Sequence, residues 1–117
     1  MRRGEIWTAA AGASYAGKPR PVVVVQDDMF DATASITACA FTTTEAEAPL
    51  FRIPVSPSEG NGLVSPCQLV VDKLTTIPKA KLGRRIGRLD DDDLVRLNRA
   101  MLVFLGLAVS PRTRGEG

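Results

Sequence analysis

Histidine is absent from this sequence of 117 residues. A Ser-His-Asp triad or a Cys-His nucleophile pair therefore cannot form. Zinc and iron sites that use imidazole are excluded in the same way. A magnesium site would need converging carboxylates, and the only dense acidic group is residues 90–93, which are better interpreted as the start of a helix. We therefore predict a protein with no metal ion and no other cofactor.

Cysteines, aromatic residues and long apolar runs are also scarce. Cys39 and Cys67 are the only cysteines, and their apolar surroundings favour two reduced core thiols over a disulfide. Aromatic residues make up 5% of the chain, which argues against an extended base-stacking surface. No apolar run approaches the roughly 18 to 20 residues of a membrane span, and no apolar segment follows the basic first residues. These features predict a cytoplasmic protein without membrane contact.

Length and charge indicate one ordinary globular domain. Hydrophobic residues make up 44% and charged residues 24% of the chain, with a formal net charge of +2. We assign residues 1–109 to a single domain and residues 110–117 to a disordered tail. Residues 73–88 contain six lysines and arginines and no acid. Such a stretch suits a phosphate backbone or an acidic protein partner, and it is equally typical of a solvated face without a partner.

Short strands dominate the pattern. They are predicted at residues 4–8, 21–26, 35–42, 51–55, 67–73 and 84–89. Residues 35–42 are mostly apolar on both faces, which predicts a central strand. Pro54 predicts that its strand lies at an edge of the sheet or ends early. We also predict a short turn or helical segment at residues 29–33 and a single helical turn at residues 78–82.

One helix is predicted at residues 90–105. Asp90 can cap it, the next three aspartates favour the positive end of its dipole, and Gly106 is a plausible stop. Its apolar stripe consists of Leu94, Leu97, Met101, Phe104 and Leu105. Many short strands before one C-terminal helix predict a mainly β (α+β) fold. We expect a small, strongly curved antiparallel sheet, SH3-like or barrel-like, with the helix packed on it.

Three polar positions at strand ends could carry chemistry. Prolines on both sides restrict the backbone of Arg20, so its planar charged fork stands at the mouth of the sheet. Thr42 ends one apolar strand, and Asp72 lies with Lys73 at the end of another. Each position also has an interpretation without a catalytic role. Arg20 is then a solvated arginine, Thr42 part of a polar turn and Asp72 part of a surface ion pair.

Taken together, the segments resemble the MazF/PemK family of bacterial toxins. The resemblance is carried by the opening MRRGEIW, by RPVVVVQDD from Arg20, by AFTTT ending at Thr44, and by VDKLTTI from Val71. The last strand and the helix also match, so the resemblance spans residues 2–105. It implies a barrel-like sheet with a C-terminal helix, a homodimer, sequence-selective cleavage of single-stranded RNA and a cognate antitoxin partner.

The resemblance also assigns roles to residues. The family's catalytic arginine and threonine correspond to Arg20 and Thr42, and the aspartate of some PemK-like members corresponds to Asp72. Those members carry an arginine two residues earlier, where this chain has Val70, and some carry a histidine in the first loop, which this chain lacks. The identity of the general acid and base therefore stays open: Asp72 either positions Arg20 or helps to activate the 2′-hydroxyl.

Our mechanistic hypothesis adds residues that contact RNA. Residues 11–18 would form a mobile flap over the RNA. Backbone contacts are expected from Lys18 and Lys73, with weaker expectations for Thr43 and Lys79.

Two other functions stay open at this point. The related CcdB toxins bind DNA gyrase without catalysis, and a noncatalytic SH3-like RNA-binding or adaptor module could use the same barrel. The positions of Arg20, Pro21 and Thr42 favour the nuclease. Cleavage of RNA in EDTA would separate it from both.

Overall fold

Six strands form one antiparallel sheet, and a single helix follows them. The strands are β1 Glu5–Ala9, β2 Arg20–Val24, β3 Ser35–Thr42, β4 Arg52–Val55, β5 Cys67–Pro78 and β6 Leu82–Arg88, and the helix is α1 Asp91–Phe104. Short 3₁₀ turns occupy Asp28–Phe30 and Lys79–Lys81. The structure is a computed structural model that describes residues 1–10, 19–44, 46–48 and 51–108. The flap predicted at 11–18 and the tail at 110–117 lie outside these residues.

The strand order is β4-β5-β3-β2-β1-β6. This confirms the predicted mainly β fold with a C-terminal helix. The sheet is not closed, because β4 and β6 are its two edges in the described part of the chain. Pro54 lies in the edge strand β4, as predicted, where its missing N–H breaks no essential ladder hydrogen bond.

Apolar residues alternate between two faces of the sheet. Val23, Cys39 and Phe41 belong to the larger core, which also contains Leu97 of α1. The opposite face holds a smaller cluster with Val22 and Ala38. Because both faces are apolar, β3 lies in the centre of the sheet, as its pattern predicts. The edge of the smaller cluster is where the candidate site lies.

An irregularity in β5 shapes that site. Cys39 pairs with Leu74, but the next residue, Ala40, pairs with Val70. Three residues of β5, 71–73, are therefore bulged out of the ladder with β3, and bulges re-aim side chains. The sequence predicted that this strand ends at residue 73. The prediction was wrong because the polar Asp72 and Lys73 mark a bulge, and the strand continues to Pro78.

The aspartates at residues 90–93 begin the helix, as predicted. The Asp90 side chain accepts a hydrogen bond from the Asp93 N–H at 2.9 Å, and Asp93 accepts one from Arg96 at 2.6 Å. Leu97 is fully buried. The predicted stripe was too long, however, because Phe104 and Leu105 remain 46% and 53% exposed. The described residues therefore cover only about half of each of these two side chains.

The helix content also bears on membranes. No helix in the described ranges is long and apolar enough to cross a bilayer.

Candidate functional site

Arg20 and Thr42 meet at the same end of two paired strands. Val22 pairs with Ala40 in the antiparallel ladder of β2 and β3. Continuing that register by two residues places Arg20 opposite Thr42, so both side chains leave the same face. Arg20 also pairs with Ala9 of β1. The two positions that the resemblance assigns to catalysis are therefore neighbours on a rigid sheet.

A groove of about 610 Å³ opens over this end of the sheet. It is lined by Ala9, Ala10, Arg20, Val22, Ala40, Phe41, Thr42, Thr44, Arg52, Val70, Lys73, Thr75 and Ile77. Three cations and three threonines stand among these residues, and no acidic residue does. The described lining is therefore positive and rich in hydroxyl groups above an apolar floor, which suits a phosphate backbone.

The hydroxyl of Thr42 has a fixed partner. Its Oγ1 accepts a hydrogen bond from the Thr44 N–H at 3.2 Å. The hydroxyl proton is then free to be donated to a bound group, because a hydroxyl can accept and donate at once. Thr43, between them, is exposed and does not line the groove.

The bulge in β5 separates Asp72 from Lys73. Lys73 lines the groove with Arg20 and Thr42, whereas Asp72 does not. Among the described residues, Asp72 pairs with Arg52 of β4, with 4.0 Å between Asp72 Oδ1 and Arg52 Nε. The arginine that Asp72 pairs with at this distance is Arg52, and whether Asp72 positions Arg20 or helps to activate the 2′-hydroxyl stays a prediction.

Arg52 is the site residue that the sequence did not indicate. It lies directly opposite Val70 in the register of β4 and β5. Val70 is the position at which some PemK-like members carry an arginine. In this chain, Arg52 of the neighbouring strand β4 therefore places a guanidinium beside Val70. Pairing across strands is not visible in a local motif, so no sequence signal marks it.

Lys79 lies apart from the groove. Its ammonium donates to the backbone carbonyl of Asp31 and pairs with the Asp31 carboxylate at 3.3 Å. Hydrogen bonds from the chain's N-terminal ammonium and from Lys79 lower the pKa of Asp31. The lysine thus anchors the 3₁₀ turn after β5 to the loop before β3. Lys18 lies outside the described residues.

Neither cysteine supplies a nucleophile. Both are free and buried, which confirms the predicted core thiols. Burial raises the pKa of Cys39 to about 12, so it is not a thiolate at neutral pH. In the described ranges, no three Cys, Asp or Glu side chains lie close enough together to hold a metal ion.

The chain matches a known protein family and several of its members. The family model described as "PemK-like, MazF-like toxin of type II toxin-antitoxin system" matches residues 2–105. The chain is 55% identical over 108 residues to the "Probable endoribonuclease MazF" of Mycolicibacterium smegmatis, covering 92% of this chain and 99% of that protein. It is 34% identical over 116 residues to "Endoribonuclease MazF9" of Mycobacterium tuberculosis, covering 92% and 98%.

Solved structures agree with the fold. The structure of "Mycobacterium tuberculosis toxin MazF-mt6" superimposes with a TM-score of 0.75 at 26% identity, covering 90% of this chain and 99% of that one. An "Endoribonuclease in complex with its cognate antitoxin from Mycobacterial species" gives a TM-score of 0.78 at 23% identity, covering 94% and 99%. The chain therefore belongs to the family of PemK-like, MazF-like toxins of type II toxin–antitoxin systems.

Proposed function

We propose that this toxin is an endoribonuclease that cuts single-stranded RNA at sequence-selected sites without a metal ion. The observation that carries the proposal is the placement of Arg20 opposite Thr42 in a groove that also holds Lys73. The names of its relatives support the reaction class.

The reaction requires attack by a 2′-hydroxyl on the adjacent phosphorus. Negative charge then builds up on the phosphoryl oxygens, and preorganised cations and donors stabilise it. Arg20 supplies a permanent charge in a fork that matches phosphate geometry. Thr42, already accepting from the backbone of Thr44, donates its hydroxyl proton to the same phosphoryl group.

Further residues extend the RNA contact. Lys73 binds the phosphate backbone from the bulge of β5, and Lys18 and Thr43 are further residues that we propose to contact the RNA. Asp72 supports the reaction indirectly, because its carboxylate does not line the groove. Lys79 stays outside this proposal because its ammonium is bound to Asp31.

Incubation of purified protein with a long single-stranded RNA in excess EDTA tests the proposal. We expect discrete fragments, because the proposed mechanism uses an arginine and a hydroxyl where other nucleases use metal. A gyrase-binding toxin or a noncatalytic SH3-like module would produce no fragments. Complete inhibition by EDTA that magnesium reverses would contradict the metal-free mechanism.

The protein partner follows from the family. A solved relative is an endoribonuclease "in complex with its cognate antitoxin", and we propose a cognate antitoxin for this chain. A basic groove is blocked most directly by an acidic segment that orders on binding. We propose that both proteins act in the cytoplasm.

We further propose that the toxin is a homodimer. Five exposed large apolar residues lie on or just after α1: Val95, Leu102, Phe104, Leu105 and Leu107. A symmetric contact between two such surfaces is the commonest way to bury them. The RNA would then follow a groove that spans both subunits.

Light scattering at micromolar concentration tests the dimer. We expect twice the chain mass of 12.5 kDa, and a shift to the monomer in Leu105→Asp. Val64→Asp is the control, since Val64 is 99% exposed and lies between β4 and β5, outside the proposed contact. A wild-type monomer that cleaves RNA at full rate would remove the dimer from this account.

A further inference from the structure

We infer that Arg52 is a second phosphate-binding arginine of the groove, and that Asp72 is the positioning residue that holds it there. This inference rests on the proposed RNA cleavage and adds a residue to it. It is carried by the place of Arg52 in the groove, by the low exposure of its side chain and by its ion pair with Asp72.

The strand register places Arg52 on the same side of the sheet as Arg20. Arg52 pairs with Val70, Val70 with Ala40, and Ala40 with Val22. Directly paired residues point to one face, so this row of four runs beneath the groove. Arg20 lies two residues before Val22 on β2, at the next position on that face.

The two arginines stand at opposite sides of the groove. Two strands, β3 and β5, lie between β2 and β4, and neighbouring strands are about 4.8 Å apart, so roughly 14 Å separates the two backbones. This separation places the two guanidinium groups on different phosphates of one RNA strand. Arg20 binds the scissile phosphate, and Arg52 binds a neighbouring one.

Arg52 is more buried than most surface arginines, and one of its nitrogens has no hydrogen-bond partner among the described residues. Its side chain is only 18% exposed, and its Nε, within the described structure, is buried without a hydrogen-bond acceptor. A charged donor without an acceptor destabilises the folded state, and such groups call for an explanation. The buried Nε is out of reach of a ligand, so an anion bound in the groove would be met by the terminal nitrogens of the guanidinium, which are not among the buried unpaired atoms.

Asp72 restrains Arg52 by an ion pair but does not accept a hydrogen bond from its Nε. The 4.0 Å between Asp72 Oδ1 and Arg52 Nε is an ion-pair distance, longer than a hydrogen bond. Asp72 itself does not line the groove. Its carboxylate therefore lies on the Nε side of the guanidinium and leaves the terminal nitrogens available to a phosphate. Asp72 acts on the RNA through Arg52.

The experiment measures binding separately from cleavage. Cut sites are first mapped on a long RNA, and a short oligonucleotide spanning one site is then made with a 2′-deoxy residue at the cut position. Binding of this uncleaved probe is measured from 50 to 200 mM salt for the wild type and for Arg52→Ala. Arg2→Ala is the control, because it removes an equal charge outside the groove. Arg2 is 80% exposed and pairs with Asp28, which follows β2.

We expect Arg52→Ala to bind the probe at least tenfold more weakly and to reduce the slope of log K against log salt by about 0.7, the loss of one phosphate contact on a single strand. Arg2→Ala should keep the wild-type slope. Asp72→Asn should weaken binding less than Arg52→Ala does. In the double variant Arg52→Ala with Asp72→Asn, the second change should cause no further loss, because Asp72 acts through the arginine.

Arg52→Gln keeps a polar side chain and is measured beside Arg52→Ala, with thermal melting to confirm that each variant folds. An unchanged slope in a folded Arg52→Gln protein would overturn the inference, as would additive losses in the double variant. Failure of the wild type to cut any RNA would instead overturn the proposed function. The two failures are therefore distinguishable.

Discussion

Arg20→Ala should lower the rate of RNA cleavage by about 10²-fold or more while the protein remains folded. Removal of one preorganised group that stabilises transition-state charge typically has an effect of this size. The side chain is exposed at the start of β2, so its loss removes little packing. The measurement is a single-turnover cleavage rate on a mapped RNA site, with melting temperature as the check on folding.

Two further variants separate charge from geometry in this measurement. Arg20→Lys keeps the charge but lacks the planar fork, so we expect it to recover only part of the lost rate. Thr42→Val removes the hydroxyl with little change in shape and should also lower the rate, since one donor to the phosphoryl group is gone. Wild-type cleavage by a folded Arg20→Ala protein would contradict the mechanism.

The strand pattern was predictable where side chains alternate between two buried faces. The bounds of β3, Ser35–Thr42, equal the predicted range because both faces of that segment are apolar and polar residues follow it. The start of α1 was predictable because the Asp90 cap is a local interaction. Arg20 and Thr42 were predictable from the family resemblance, and the register explains why they meet.

The remaining features depend on contacts between distant segments. Asp72 and Lys73 look like the end of a strand in the sequence, and only pairing with β3 and β4 shows that they form a bulge inside β5. The importance of Arg52 depends on its register with Val70, a residue far away in the sequence. Helical periodicity likewise places Phe104 and Leu105 on the apolar stripe, but it does not show how far the sheet supports α1.

An RNA that lacks a single 2′-hydroxyl tests the central claim most directly. In the proposed mechanism the 2′-hydroxyl of the nucleotide before the cut is the nucleophile, and no metal-bound water replaces it. Two oligonucleotides that differ only by a 2′-deoxy residue at the mapped site are therefore compared in EDTA, and the products are weighed by mass spectrometry.

We expect the unmodified RNA to yield one fragment that ends in a 2′,3′-cyclic phosphate and one that begins with a 5′-hydroxyl, because the attacking oxygen stays bonded to phosphorus and the 5′-oxygen leaves. The 2′-deoxy RNA should remain intact at that position. Equal cleavage of both oligonucleotides, or products that carry a 5′-phosphate, would contradict the account.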